Sequence, residues 1–189
     1  MRRVSAIVPA AGLSSRFGGP NKLLEPFGET TVVGSVVACL DACGLPIVVV
    51  TGRDAALVAG AAHPARSVFN ASYDEGLGTS IGAGVRSSEE ADGYLIALGD
   101  MPGLRRDVVA ALLDAFERAS EGTILAPVYA AESNRPGHPV LFDASYRPAL
   151  EALGGDEGAK GIVSRNRDRL VLVPVEGALP DIDRPDDLR

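Results

Sequence analysis

The chain has 189 residues, 18 basic and 25 acidic side chains for a formal charge of −7, and a hydrophobic share of 46% with no Trp. That length fits one α/β domain spanning the chain, with a core of Ala, Val, Leu and Ile, and the acidic balance argues against a general nucleic-acid surface. No run of about 18 apolar residues is present to span a membrane, and the opening Met1-Arg-Arg-Val-Ser lacks the apolar stretch of a signal peptide, so a cytoplasmic location is expected.

In chain order, residues 4–8 form a short apolar run that reads as a buried strand. The loop after it runs Val8-Pro-Ala-Ala-Gly12-Leu-Ser-Ser-Arg16-Phe-Gly18-Gly-Pro-Asn-Lys22. Glycines and small residues let the backbone approach a ligand and aim N–H groups at it. Arg16 can fork onto phosphate oxygens, and Lys22 adds a mobile point charge. Through Leu24 the chain has four basic residues and no acid. A locally positive loop in an acidic protein points to an anionic ligand, captured by the loop cations and a metal. The loop spells neither a Walker A motif nor G-x-G-x-x-G. The competing reading is an ordinary glycine-rich connection with a solvated Arg and Lys.

Residues 31–43 read as a helix, with Val33, Val36, Val37 and Leu40 at helical spacing. The only cysteines, Cys39 and Cys43, share one face of it. A disulfide there fits helix geometry poorly and two ligands are too few for zinc, so both are expected as small core residues. Residues 46–51 are a continuous apolar run, as in a strand buried on both faces. A short helix over 53–62, a brief strand at 67–69 and a helix over 79–86 follow. Residues 93–98 read as another buried strand, ending at Gly99-Asp100-Met101-Pro102. Residues 107–120 form the clearest amphipathic helix, and 123–127, 138–142 and 170–175 read as strands. The Pro/Gly-rich piece 130–137 is expected as a mobile loop over the site. Strand–helix alternation at this spacing implies a mostly parallel, doubly wound sheet. Ligands of such sheets sit beyond the carboxyl ends of the strands.

Asp100, at a strand's carboxyl end, would point into that crevice and suits Mg²⁺, which is held by one or two carboxylates plus substrate phosphates. The alternative is an Asp capping the next helix, weakened by Asp107 near that helix start. A second carboxylate is expected from the acidic tail, where Asp181 and Asp183 share one face of an extended segment. Asp183 is the favoured ligand, Asp181 an alternative, and a solvated acidic tail the competing reading.

Taken in order, these segments resemble the MobA-like nucleotidyltransferases, and among them the molybdenum cofactor cytidylyltransferases. The resemblance rests on Ala10-Ala-Gly-Leu-Ser-Ser-Arg16-Phe-Gly18 with Lys22, and on Asn70-Ala-Ser-Tyr-Asp-Glu-Gly76-Leu-Gly-Thr-Ser80. It continues through Gly99-Asp-Met-Pro102, Gly137-His-Pro-Val140, Gly155-Asp-Glu-Gly-Ala159 and Asp181-Ile-Asp-Arg-Pro-Asp-Asp-Leu188. It implies a single-domain, three-layer Rossmann-like nucleotidyltransferase fold with a mostly parallel mixed sheet. It also implies transfer of CMP from CTP to the terminal phosphate of a molybdopterin-type acceptor, with Mg²⁺ as cofactor and a molybdoenzyme as a possible partner.

On that resemblance the nucleotide is held by Ala10, Ala11, Gly12, Ser14, Arg16, Lys22, Asn70, Gly78, Ser80 and Asp100. Arg16, Lys22 and Asp100 are the catalytic set, Asp100 and Asp183 hold the metal, and His138 lies near the second substrate. The cytidylyl branch rests on Ala-Ala-Gly where guanylyl-transferring relatives carry Ala-Gly-Gly; the methyl of Ala11 would crowd a purine more than a pyrimidine. Phe17 and Arg184 depart from the usual Met and Thr of the pattern. Three rival readings remain: a guanylyl- or other nucleotidyltransferase, a non-catalytic pterin carrier, and a nicotinamide- or flavin-dependent oxidoreductase. The last rests on Gly76-Leu-Gly78-Thr-Ser-Ile-Gly82, which has one residue too many before its final glycine.

Overall fold

The computed structural model describes residues 1–12, 21–129 and 135–177. Its first strand is β1, Val4–Ala10, all of whose residues are buried. Burial on both faces explains the unbroken apolar run, since neither side of the strand meets water. The other elements are β2 (Pro26–Phe27), β3 (Thr30–Thr31), α1 (Val32–Asp41), β4 (Ile47–Thr51), α2 (Ala55–Ala61) and β5 (Arg66–Phe69). Then come α3 (Leu77–Ser87), β6 (Gly93–Ile96), α4 (Arg106–Arg118), β7 (Ile124–Tyr129) and β8 (Val140–Asp143). The described chain closes with α5 (Arg147–Glu151), α6 (Lys160–Arg165) and β9 (Leu170–Val175).

Seven strands form one sheet in the order β5-β4-β1-β6-β8-β7-β9. β1 pairs in parallel with β4 and β6, β4 with β5, and β7 with β9. β8 alone runs antiparallel, between β6 and β7. The expected mostly parallel mixed sheet is therefore what forms. Alternate residues of β1 serve two cores. Val4, Ala6, Val8 and Ala10 face Val33, Val37 and Leu40 of α1, Val58 of α2 and Val109 and Leu112 of α4. Ile7 faces the opposite layer, with Ile81 and Val85 of α3, Leu150 of α5 and Ile162 of α6.

α1 starts where Thr31 Oγ1 accepts the Gly34 N–H at 3.1 Å, a side-chain cap worth about 1 kcal/mol. The helix ends at Asp41, so Cys43 falls in the following turn. Cys39 is buried as expected, whereas Cys43 is half-buried and lines a surface cavity. β6 ends at Ile96 rather than Leu98, which leaves Asp100 in a turn. The β2–β3 hairpin, α5 and α6 have no counterpart among the elements expected from the sequence. Among the described residues, no helix is long and apolar enough to cross a membrane.

Candidate active site

The parallel strands end on one side of the sheet, and their exits carry the chemistry. β1 delivers Ala10, Ala11 and Gly12; β4 delivers Gly52; β5 delivers Asn70; the turn after β6 delivers Asp100. β8 runs the other way, so His138, just before it, lies at the same end. A cavity of about 280 Å³ occupies this crevice. Ala10, Ala11, Gly12, Lys22, Ser80 and Asp100 line it, together with Tyr73, Gly76, Leu77 and Asp156.

The defining contact is between Lys22 and Asp100. Lys22 belongs to a 3-10 turn, Lys22–Leu24, opened by Asn21, whose buried side chain accepts the Leu23 N–H at 3.1 Å. That turn brings Lys22 Nζ within 2.6 Å of Asp100 Oδ2. Both side chains are largely shielded, at 17% and 26% exposed, so the pair keeps more of its Coulomb attraction than a surface pair would. Asp100 is thus held toward the crevice by a cation, and α4 begins at Arg106 with Arg105 as its cap residue.

Asn70 is committed differently. Its amide donates to Thr79 Oγ1 at 2.9 Å and Ser80 Oγ at 3.1 Å, while its carbonyl accepts the Ser72 N–H at 3.1 Å. Asn70 does not line the cavity; it ties the turn after β5 to the start of α3 and so fixes Ser80. Gly78 likewise works behind the wall. Its N–H donates to Gly155 O at 2.8 Å, and a Cβ there would lie 2.6 Å from Gly154 O. The Gly155-Asp-Glu-Gly-Ala159 segment is therefore stapled onto α3, which brings Asp156 to the cavity. Gly76, just before α3, has φ +122, a conformation that only glycine adopts without strain.

Tyr73 and Asp156 are wall residues that the sequence does not single out. Both lie inside motifs of the family pattern, but nothing in their spacing marks them as facing a ligand. Tyr73 is seated by Gly52, where a Cβ would stand 2.5 Å from Tyr73 Cβ and 2.9 Å from Ala11 Cβ. His138 is mostly buried beyond Asp100. Burial lowers its pKa below the ordinary histidine value, with the negative charge of Asp100 and a main-chain hydrogen bond to Ile96 opposing. Ser14, Arg16 and Asp183, with Phe17, Asp181, Arg184 and most of the 130–137 loop, lie outside the described residues.

A larger cavity, about 690 Å³, lies at the opposite ends of the strands, between Val4, Ile47, Leu113 and Phe116. Two of its arginines are turned to structural work. Arg2 donates to Phe116 O and Ala119 O, and Arg66 to Ser87 O. The smaller crevice, with a cation and a carboxylate converging at strand carboxyl ends, is the better candidate for chemistry.

The chain is similar to known proteins in sequence and in fold. The chain is 33% identical over 165 residues to nicotine blue oxidoreductase of Paenarthrobacter nicotinovorans, covering 83% of this chain and 79% of that protein. It is 30% identical to molybdenum cofactor cytidylyltransferase of Escherichia coli (strain K12), over 99% of this chain and 94% of that one. Among solved structures, Rv0371c of Mycobacterium tuberculosis H37Rv matches with a TM-score of 0.83 and 26% identity, covering 98% of this chain and 95% of that one. A nucleotidyl transferase of Methanothermobacter thermautotroptrophicus matches with a TM-score of 0.78 and 27% identity, over 98% and 94%. Residues 6–170 match the model of the MobA-like NTP transferase domain, and the chain belongs to that nucleotidyltransferase family.

Proposed function

We propose that the protein transfers CMP from CTP to the terminal phosphate of a molybdopterin-type cofactor and releases pyrophosphate. The observation that carries this reading is the Lys22–Asp100 pair at the carboxyl ends of β1 and β6, 2.6 Å from nitrogen to oxygen. A cation and a carboxylate side by side suit a triphosphate with its divalent metal better than either alone. The acceptor is taken from the Escherichia coli relative, similar along nearly its whole length.

The donor set fits Mg²⁺. Asp100 lines the crevice, and Mg²⁺ is held by one or two carboxylates and completed by phosphates and water. Asp100 would hold it, with Asp183 as the second carboxylate. When bound, the ion neutralises charge building on the phosphates in the transition state.

The chain's own residues do the rest by position. The Ala11–Gly12 backbone lies against the nucleotide, and Ser80, fixed by Asn70, faces the same cavity. Lys22 turns from Asp100 to the β- and γ-phosphates once a nucleotide enters, and with Arg16 stabilises the departing pyrophosphate. An oxygen of the acceptor's phosphate attacks the α-phosphorus in line; the bond to the bridging oxygen breaks, and pyrophosphate leaves with that electron pair. A phosphate nucleophile is already ionised near neutral pH, so no strong base is required. Ala11, packed beside Gly52 and Tyr73, keeps the floor of the site narrow and favours a pyrimidine.

The oxidoreductase name of one relative bears on the Gly76–Gly82 run. The Gly78 N–H is bonded to Gly155 O and its Cα faces the Gly154–Gly155 backbone. Those glycines serve packing of α3 against the 154–158 loop, which leaves them poorly placed to receive a dinucleotide pyrophosphate. Pyrophosphate release with Mg²⁺, each of the four NTPs, and molybdenum cofactor present or absent tests the reading. CTP-selective, cofactor-dependent release is expected. Release with GTP would move the protein to guanylyl transfer, and silence with every NTP would overturn the transferase reading.

A further inference from the structure

Asp54 holds a conformation that its own helix does not explain. It is the one residue other than glycine with a positive φ among the described residues, at +55. That conformation strains most side chains with a Cβ, and Asp and Asn bear it more readily than others. Asp54 stands in the capping position of α2, where an aspartate ordinarily accepts a backbone N–H of the first turn. No such side-chain bond forms. The carboxylate reaches back along the chain instead: its Oδ2 accepts the Asn21 side-chain amide at 3.3 Å and lies 3.5 Å from Arg53 Nε. The pair with Arg53 is exposed on both sides and contributes little.

The bond to Asn21 matters more. That side chain is buried, and its amide oxygen accepts the Leu23 N–H at 3.1 Å. The two ends of an amide differ in kind: the NH₂ donates and the oxygen accepts. An ionised carboxylate only accepts, so the NH₂ must face Asp54, which leaves the oxygen for Leu23. A flipped amide would set oxygen against carboxylate at one end and NH₂ against N–H at the other. Asp54 therefore selects the amide orientation that caps the turn Lys22–Leu24. Leu23 lies in the core that α1 packs against, and Lys22 leaves the same turn to meet Asp100 at 2.6 Å. One chain of contacts thus runs from the end of β4 through Asn21 to the cation of the crevice.

We propose that Asp54, which does not line the cavity, is a positioning residue for Lys22: it fixes the Asn21 amide, and the amide fixes the turn that presents the ammonium group to phosphate. The presentation to phosphate rests on the transferase reading; the hold on Lys22 does not. The turn after β4 then serves the crevice twice. Gly52 leaves room for Tyr73 and Ala11, and Asp54, two residues on, sets the cation. What position 54 requires is an acceptor oxygen on a backbone at positive φ. Asp and Asn meet both parts of that requirement, and Gly meets only the second.

That requirement selects the variants. Asp54→Gly adopts the backbone without strain but removes the acceptor, whereas Asp54→Asn keeps an acceptor oxygen and tolerates the same φ. The direct readout is the Lys22 ammonium group, followed by NMR of protein labelled with ¹⁵N-lysine, because the chain has only two lysines, Lys22 and Lys160. Lys160 is exposed, whereas Lys22 is shielded and ion-paired, so the ammonium protons of Lys22 alone are expected to be protected from exchange with water. Asp54→Gly is expected to lose that protection and Asp54→Asn to keep it. Calorimetry with CTP and Mg²⁺ gives the functional readout. Asp54→Gly is expected to weaken CTP binding about fivefold, the scale of one hydrogen bond, and Asp54→Asn to restore it. Placed on Lys22→Met, Asp54→Gly should weaken CTP binding no further, since the residue acts through the lysine. A Lys22 signal unchanged in Asp54→Gly, an Asn variant that behaves like the Gly variant, or a full further loss on Lys22→Met would each overturn the proposal. If the wild type releases no pyrophosphate with any NTP, the transferase reading falls, and the ammonium signals still decide the inference.

Discussion

Lys22 Nζ and Asp100 Oδ2, 78 positions apart in the chain, meet at 2.6 Å. The carboxylate that would hold a metal is thus already engaged by the cation that would hold phosphate. On the proposed function, lysine and metal would compete for one oxygen until a triphosphate drew the lysine away. Two consequences follow for binding. Lys22→Met should raise the affinity for Mn²⁺ alone several-fold while weakening CTP binding by about tenfold, the scale of one charge-assisted contact. Titration calorimetry with Mn²⁺, in the presence and absence of CTP, measures both. An unchanged affinity for metal alone would remove the competition.

Asp100→Asn tests the other partner. The amide keeps the size of the side chain and a hydrogen-bonding oxygen, so the fold should persist. Turnover should fall by about a hundredfold or more, the scale of losing one preorganised electrostatic group. Because Asp100 sits in a turn beyond β6 and not in the core, the thermal midpoint should move little. Normal turnover with Mg²⁺ would end the metal assignment.

Gly52 and Gly60 lie eight residues apart and should respond oppositely to alanine. A Cβ at Gly52 would stand 2.5 Å from Tyr73 Cβ and 2.9 Å from Ala11 Cβ, whereas at Gly60, inside α2, it would meet nothing within 4 Å. Gly52→Ala should cost about 1–3 kcal/mol by overpacking and weaken CTP binding, since it must displace two walls of the cavity. Gly60→Ala should gain about 0.5–1 kcal/mol from helix propensity and a less free unfolded chain, with CTP affinity unchanged. Denaturant unfolding and calorimetry on both variants check this; equal effects would show that the seat of Tyr73 is not tight.

The inner strands β1, β4 and β6 were legible because their residues are buried on both faces and read as apolar runs, as in Ile47–Thr51. The amphipathic Arg106–Arg118 was legible by its stripe of Val108, Val109, Leu112 and Phe116. The short α5 and α6 were not, because five and six residues hold too few turns to show a period. β8 was seen as a strand but not as antiparallel, a property of the path between strands and not of the strand's own residues. In the site, Lys22 and Asp100 carried a signal as charges in small-residue loops. Tyr73 and Asp156 carried none, because what makes them wall residues is a glycine elsewhere: Gly52 beneath the one, Gly76 against the other.

His138 gives stability a pH dependence whose direction is fixed by its pKa. The ring's folded value lies below the ordinary 6.5, chiefly through burial. As pH falls through about 6.5 the unfolded chain takes up the proton first, so protonation favours unfolding. The contribution of the neutral ring is complete above that value and is lost progressively below it, down to the folded pKa. The slope for one proton cannot exceed about 1.4 kcal/mol per pH unit. His138→Gln has no such group, so the stability gap between wild type and variant should shrink as pH is lowered from about 7.5 to about 5. Urea unfolding of the metal-free proteins at both values measures the gap. A gap that stays constant would mean that burial does not hold the imidazole neutral.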